Sequence, residues 1–200
     1  GFDIDIARYV AQDILGSERK IKFVRVTPDT RIEAITSGEV DMVIATMSVT
    51  PQRQYFVDFS TPYYVAGQTV MVKEDSDIHT FSDLKDKTTI VLLGSTSEKN
   101  LRGIIPTARI IGYKNYENAF KAYEDGIGDA ISTDNTILAG YMLDHHGNRL
   151  LKNKISKEAY AIGIKQTDED DKLRKSLNII INRMHKDGTL KELKKKWHLK

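Results

Sequence analysis

The chain has no cysteine and only 4 prolines among its 200 residues. Without cysteine it has no disulfide, no thiolate nucleophile and no cysteine-based zinc site. The absence of cysteine is compatible with any redox compartment, because a chain of this length folds without cross-links. Its longest apolar runs, at 42–45 and 179–181, are far shorter than the roughly 20 residues that cross a bilayer. The sequence predicts a globular chain without a transmembrane helix.

A large excess of one charge sign is also missing. The 30 basic and 28 acidic residues are interleaved and leave a formal net charge of +2. Nucleic-acid-binding proteins usually carry a basic stripe, so no nucleic acid is expected as a partner. The 5 histidines show no metal-ligand spacing, and the sequence contains no P-loop, nucleophile elbow or dinucleotide-binding glycine motif. We therefore expect no metal, no cofactor and no catalytic residue.

Apolar spacing predicts an α/β order in the first part of the chain. Apolar residues that recur every four positions predict a helix at 2–16. A strand is expected at 21–26, followed by a helix at 27–38 that Thr27 caps. Continuous apolar character at 42–45 is typical of a buried parallel strand.

The rest of the chain continues this alternation. Extended segments are expected at 56–59, 68–73, 89–93, near 110, at 129–132 and at 160–165. Helical segments are expected as a short turn from 50, from 97, at 118–124, at 173–184 and at 189–197. The pattern predicts two α/β units.

A candidate anion-binding segment lies at 45–53, where a buried strand ends and hydroxyl residues follow. Thr50 and Pro51 begin a helical turn that places Arg53 near its amino end. The helix dipole disfavours a cation there, so a bound anion would relieve the conflict. A salt bridge from Arg53 to a surface carboxylate is the alternative. The position favours a ligand site, because open α/β sheets bind ligands beyond the carboxyl ends of their strands.

Two further strand ends carry polar groups. Ser95 and Glu98 have the spacing of a capping box, so the backbone amide of Thr96 either binds a carboxylate or only begins a capped helix. Asp134 follows another buried strand and either binds an ammonium group or caps the next helix. Together with Arg53, these groups suit the two charges of a zwitterion and favour binding over catalysis.

Seven segments of the chain follow the order of one known family. They are GFDIDIA, RIEAITSGEVDMVIA, SVTPQRQYFVDFSTPYYVAGQTVMVK, LGSTSEKNL, GDAISTDNTIL, AYAIGIK and KDGTLKELKKKW. Through them nearly the whole chain resembles the family 3 extracellular solute-binding proteins, the polar amino-acid receptors of ABC importers. The resemblance implies an α/β, two-lobed periplasmic-binding-protein-like (type II) fold with two hinge crossings. The implied parts are lobe 1 at 1–62 and 164–200, lobe 2 at 68–158, and hinge strands at 63–67 and 159–163.

The resemblance also implies ligand contacts at matching residues. Arg53 would grip the α-carboxylate of the ligand, and Ser48 would bridge its carboxylate and ammonium groups. Thr46 would direct its backbone carbonyl toward the ammonium. Thr96 would supply a helix-start amide from the opposite lobe, and Asp134 would bind the ammonium.

Arg31 determines the expected ligand. The segments 30–32 and 134–141 most resemble the aspartate/glutamate-binding branch, in which Arg31 would reach the side-chain carboxylate of the ligand. A surface arginine that pairs with Asp29 or Glu33 is the alternative. We expect glutamate or aspartate as the favoured ligand and glutamine as the next.

The implied function is that of the substrate-binding component of an ABC importer. Such a protein captures an amino acid in an interlobe cleft by hinge closure and delivers it to an ABC permease in the membrane. This implies an extracellular or periplasmic location, either free or lipid-anchored in the full-length protein. The same fold resembles ligand-sensing domains of membrane receptors or kinases and cyclohexadienyl-dehydratase-like enzymes, which are the alternatives.

The family resemblance begins after the strand and loop with which family members start. That strand would lie in the middle of the lobe 1 sheet, so the strands expected at 21–26 and 42–45 would each expose a backbone edge. We therefore expect a strand-exchanged second chain, or another part of the same protein, beside them.

Overall fold

The computed structural model describes residues 1–168 and 170–199. Glu169 and Lys200, which the predicted lobe 1 includes, lie outside the described residues. Contacts within the chain divide it into two compact units. Unit 1 consists of Gly1–Val26, Thr30–Val65 and Ala159–Lys200, and unit 2 consists of Thr27–Asp29 and Ala66–Glu158.

Unit 1 begins and ends with helices. Its helices are α1 (Phe2–Leu15), α2 (Arg31–Thr36), α3 (Pro51–Gln54), α7 (Lys172–Lys186) and α8 (Thr189–Lys196). Its strands β1 (Met42–Val43), β2 (Val57–Phe59) and β10 (Gly163–Lys165) form an antiparallel sheet in the order β1-β10-β2. The strands β3 (Tyr64–Ala66) and β9 (Glu158–Tyr160) pair with each other, and the chain passes between the units within them.

The helix predicted at 2–16 is confirmed by α1. Its buried residues Ile6 and Val10 lie one turn apart, and α1 packs against α7 and α8. Gly16 ends the helix with a φ of 75°, a conformation that glycine adopts without a Cβ clash. The helix expected at 173–184 is confirmed by α7, whose apolar face is buried at Leu177, Ile180, Ile181 and Met184.

Unit 2 is built on a five-stranded sheet. Its strands are β4 (Gln68–Lys73), β5 (Thr88–Leu92), β6 (Arg109–Tyr113), β7 (Ala130–Asp134) and β8 (Asn148–Leu150). Its helices are α4 (Thr96–Ile104), α5 (Tyr116–Glu124) and α6 (Asn135–Met142), with a 3-10 turn at Phe81–Leu84. The strand order is β6-β5-β7-β4-β8, in which β5 runs parallel to β6 and β7, whereas β4 runs antiparallel to β7 and β8.

Both faces of this sheet are buried. Val70 and Val72 of β4 belong to one apolar cluster together with Leu101 of α4. Met71, between them in the same strand, belongs to a second cluster together with Ala119 of α5. Successive side chains of a strand point to opposite faces, so a continuously apolar strand serves two cores.

The strand predicted at 21–26 does not form. None of the described strands pairs with this segment, and Phe23 within it is 53% exposed. Alternating apolar residues favour an extended chain, but a strand needs a hydrogen-bonded neighbour. The second chain or additional strand expected beside this segment stays a prediction.

Two boundaries in the next part of the chain also differ from the prediction. Thr27 does not begin a helix: its Oγ1 donates to Oδ1 of Asp29 at 2.5 Å, and α2 starts only at Arg31. The strand expected at 42–45 is limited to β1 and is antiparallel, not parallel. Its neighbour β10 comes from a distant part of the chain, which a local apolar run does not indicate.

Candidate functional site

The first group of candidate residues lies in the segment 45–53 of unit 1. Thr50 is the N-cap of α3, and its Oγ1 accepts a hydrogen bond from the backbone N–H of Arg53 at 3.1 Å. Pro51 occupies the first helical position, where a missing N–H has little cost. The helical turn predicted from Thr50 is confirmed, and it contains Arg53.

The side chain of Arg53 is fixed beside Ser48. Its Nη1 atom donates to the carbonyl oxygen of Ser48 at 2.8 Å. Arg53 is half-buried, and Ser48 is buried and forms a β-bridge with Tyr160. A guanidinium group offers a planar fork of donors that matches a carboxylate. This arrangement is able to bind an anion at the start of α3.

Thr46 lies just before these residues and has a left-handed backbone with a φ of 46°. Its N–H donates to Oδ2 of Asp3 at 2.8 Å. The other carboxylate oxygen of Asp3, Oδ1, accepts from the hydroxyl of Tyr63 at 2.7 Å. No local sequence pattern predicts this role of Asp3, because Asp3 and Thr46 lie 43 positions apart in the chain.

The Asp3 side chain is half-buried, and both of its carboxylate oxygens accept a hydrogen bond. Burial raises the pKa of Asp3, while the hydrogen bonds from Tyr63 and Thr46 and the charge of Arg31 oppose this increase. Burial and the negative charge of Asp3 raise the pKa of the Tyr63 hydroxyl well above its ordinary value. The hydroxyl therefore remains a donor to Asp3 at neutral pH.

Arg31 is not a surface arginine. It is 5% exposed, and its Nη1 atom donates to the carbonyl oxygen of Ala45 at 2.8 Å. The structure therefore brings the Arg31 side chain to the same segment of unit 1 that contains Thr46, Ser48 and Arg53.

Unit 2 contains a second group of candidate residues. Ser95 is the N-cap of α4, and its Oγ accepts from the N–H of Glu98 at 3.2 Å. The Glu98 carboxylate accepts from Gly94 N–H at 3.3 Å instead of from the cap residue, so the arrangement departs from the predicted capping box. Thr96 is the first residue of α4 and is half-buried.

Asp134 is the last residue of β7 and is 5% exposed. It is also the N-cap residue of α6, but among the described residues its side chain forms no cap hydrogen bond with that helix. The helix-capping alternative is therefore not what the structure shows. Because β5 and β7 are parallel neighbours, their carboxyl ends lie at the same edge of the unit 2 sheet. Thr96 follows the end of β5, and Asp134 is the last residue of β7.

A buried polar network that no local sequence pattern predicts connects this edge to α4. Gln68 is 0% exposed, and its Nε2 donates to the Ser97 carbonyl at 3.0 Å and to Ser132 Oγ at 2.9 Å. Its Oε1 accepts from Nδ2 of Asn100 at 3.1 Å. The network joins β4, β7 and the first turns of α4, and so supports the strand end that carries Asp134.

Solved structures define the class of protein to which this fold belongs. "An ancestral arginine-binding protein bound to glutamine" matches with a TM-score of 0.90 and 36% sequence identity, over 98% of this chain and 87% of that chain. Such neighbours are two-lobed amino-acid-binding proteins, so the predicted α/β, two-lobed periplasmic-binding-protein-like fold is confirmed.

Sequence comparisons define the family. The family model described as bacterial extracellular solute-binding proteins, family 3, matches residues 1–200, and the chain belongs to this family as predicted. It is 42% identical over 199 residues to the ABC transporter glutamine-binding protein GlnH of Bacillus subtilis (strain 168), covering 98% of the chain and 72% of that protein. It is 44% identical over 164 residues to the glutamine-binding protein of Geobacillus stearothermophilus, covering 82% of the chain and 63% of that protein.

These relatives are solute-binding proteins and not enzymes, which confirms the prediction of a binding protein of the amino-acid ABC-transporter class. The chain spans 72% and 63% of the lengths of these two relatives. Within 1–168 and 170–199, the structure has no helix that is long and apolar enough to cross a membrane.

Proposed function

We propose that the full protein captures a polar L-amino acid outside the cytoplasm, with L-glutamine as the preferred ligand. The observation that carries the proposal is the hydrogen bond of 2.8 Å between Arg53 Nη1 and the Ser48 carbonyl. This bond holds the guanidinium group of Arg53, a residue of α3, next to Ser48, which lies just before that helix. A guanidinium fixed in this way suits the α-carboxylate that all amino acids share.

The other groups of the proposed site divide according to charge. Arg53, the Ser48 hydroxyl and the backbone amide of Thr96 would bind the α-carboxylate. Asp134 and the backbone carbonyl of Thr46 would bind the α-ammonium. The burial of Asp134 supports this division, because a carboxylate that is removed from water gains most from an opposite charge.

The environment of Arg31 supports the proposal of glutamine over glutamate. The acidic preference depends on a contact between Arg31 and a ligand carboxylate. Arg31 donates to the Ala45 carbonyl, and its charge already acts on the Asp3 carboxylate of the same unit. The two relatives compared above are both named as glutamine-binding proteins. Glutamate is the second candidate, because an arginine near the site favours an acidic ligand over a basic one.

We further propose that the protein delivers its ligand to an ABC permease in the membrane, through closure of its two lobes on the amino acid. The family membership and the transporter named for the Bacillus relative support this partner. In the same proposal, the full-length protein acts in the extracellular or periplasmic space.

Calorimetry on the full-length protein tests the proposed ligand. L-Glutamine, L-glutamate, L-aspartate and L-arginine are titrated separately, and each is then used to displace L-glutamine. We expect L-glutamine to bind at least about tenfold more tightly than L-glutamate, since an uncharged amide needs no buried countercharge. Displacement of glutamine by an equal concentration of glutamate would show that glutamate is the preferred ligand. Binding of none of the four would contradict the proposed function.

A further inference from the structure

Thr46 has an unusual backbone for its residue type. Its φ of 46° lies in the left-handed region, where a β-branched side chain is rarely found because its Cβ crowds the backbone. Such a conformation persists only where surrounding groups impose it, and strained residues cluster at functional sites. The groups that impose it on Thr46 therefore have a part in forming the segment that contains Ser48 and Arg53.

The peptide group that joins Ala45 to Thr46 is held at both ends. Arg31 Nη1 donates to the carbonyl oxygen of Ala45 at 2.8 Å. Asp3 Oδ2 accepts from the N–H of Thr46 at 2.8 Å. Both backbone groups belong to one planar unit, so these two hydrogen bonds fix the orientation of the whole plane. The bond from the Arg31 guanidinium is charge-assisted and therefore stronger than a bond between neutral groups.

The carboxylate of Asp3 is itself held in place. Tyr63, which is 1% exposed, donates to its Oδ1 atom at 2.7 Å. Asp3 lies in the first turn of α1, where the helix dipole favours a negative charge. Removing a carboxylate from water costs free energy unless its oxygens are hydrogen-bonded, and both oxygens of the half-buried Asp3 have donors.

We infer that Asp3 and Arg31 are positioning residues that clamp the Ala45–Thr46 peptide and so set the direction of the Thr46 carbonyl. The inference rests on the proposed function, in which that carbonyl faces the ammonium group of the ligand. A carbonyl fixed before the ligand arrives needs no ordering on binding. Arg31 then acts on the ligand through the backbone of this segment and not through the ligand side chain.

Two ligands distinguish an effect of this clamp on ammonium binding from a general effect on packing. L-Glutamine has an α-ammonium group, and glutaramic acid is the same molecule without the α-amino group. The ratio of their affinities is measured by calorimetry on full-length wild type, Asp3→Ala and Asp5→Ala. Asp5 is the matched control, because it lies in the same helix and its carboxylate accepts hydrogen bonds from Lys196 and Trp197.

We expect Asp3→Ala to lower the preference for L-glutamine over glutaramic acid by about tenfold, because only the ammonium contact loses its geometry. Asp3→Asn keeps an oxygen that accepts from Thr46 N–H, so it should restore most of this preference. Asp5→Ala should leave the preference unchanged even where it lowers the melting temperature. An unchanged preference in Asp3→Ala, or an equal loss in Asp5→Ala, would overturn the inference.

Amide hydrogen exchange gives a second readout that needs no ligand and no Asp3 variant. Tyr63→Phe keeps the ring in the core and removes only the hydroxyl that holds Asp3. We expect the Thr46 amide to exchange about tenfold faster in this variant than in Tyr55→Phe, whose hydroxyl belongs to a side chain that is 79% exposed. Equal exchange rates in the two variants would contradict the clamp. Faster exchange in a protein that binds no amino acid would contradict the proposed function alone.

Discussion

Asp5 and Trp197, which lie 192 positions apart in the chain, are joined by a hydrogen bond of 2.8 Å from the indole Nε1 to the carboxylate Oδ2. The same oxygen accepts from Nζ of Lys196 at 2.8 Å. Burial alone would raise the pKa of Asp5, but the hydrogen bonds from Lys196 and Trp197 outweigh it and hold the pKa below its ordinary value. The first helix of unit 1 is thereby tied to its last.

Asp5→Asn should lower the free energy of unfolding at pH 7, because it removes the negative charge to which both Lys196 and Trp197 donate. The expected loss is only about 1 to 2 kcal/mol, because the Lys196 side chain is largely exposed to solvent. A lowered pKa means that the folded state favours the ionised carboxylate. The stabilisation is therefore present above pH 3.8 and is lost as pH falls through the lowered pKa. Urea unfolding of both proteins over a pH series measures this difference.

Asp125→Asn is the control for this prediction. Asp125 pairs with Lys121 on a surface helix, and both side chains are more than half exposed. Its loss should change the free energy of unfolding by no more than about 0.5 kcal/mol. A wild-type minus Asp5→Asn difference that stays constant down to pH 2 would contradict the role of the Asp5 charge.

Gln68→Leu should destabilise unit 2. The leucine fills a similar volume but leaves the Ser97 carbonyl, the Ser132 hydroxyl and the Asn100 amide without their present partner in a buried place. We expect a loss of about 2 to 4 kcal/mol, measured by urea unfolding. Gln166→Leu is the matched control, because Gln166 is exposed and should tolerate the change within about 0.5 kcal/mol. An equal loss of unfolding free energy in the two variants would show that the buried hydrogen bonds of Gln68 do not stabilise unit 2 more than an exposed glutamine does.

Gly94→Ala should cost more stability than Gly126→Ala. Both glycines have nearly the same positive φ, 77° and 75°. A Cβ on Gly94 would lie 2.8 Å from the Cα of Asp29, whereas a Cβ on Gly126 would meet no atom within 4 Å. Gly126→Ala therefore reports backbone strain alone, about 1 to 2 kcal/mol.

Gly94→Ala should add a steric cost of about 1 to 3 kcal/mol to that strain, because the backbone of Asp29 must move. The comparison is made by thermal and urea unfolding of the two variants. Losses of the same size would mean that Asp29 yields freely and that its close approach to Gly94 is not required.

Arg53→Ala should weaken binding of L-glutamine by about 2 to 5 kcal/mol, because the ligand carboxylate would be desolvated without its countercharge. Asp134→Asn should have an effect of similar size through the ammonium group. Calorimetry measures both. Arg183→Ala is the control, since Arg183 pairs with Asp13 on the surface of unit 1 and should leave the affinity unchanged. Unchanged affinity in Arg53→Ala would remove Arg53 from the site.

Local signals predicted much of the fold and part of the candidate site. The spacing of apolar residues in α1 and α7 and the Thr50–Pro51 start of α3 involve neighbours within one or two turns, so the sequence indicated them directly. The same holds for the end of β7, where a buried strand stops at polar residues.

Local patterns were therefore sufficient to predict most of the helices and strands and the positions of Arg53, Thr96 and Asp134 near element ends. The tertiary structure alone decided which distant groups meet: β1 with β10, and the Ala45–Thr46 peptide with Asp3 and Arg31. The physical reason is that such hydrogen bonds join residues that only folding brings together. No periodicity of neighbouring residues records which partner each of these groups finds.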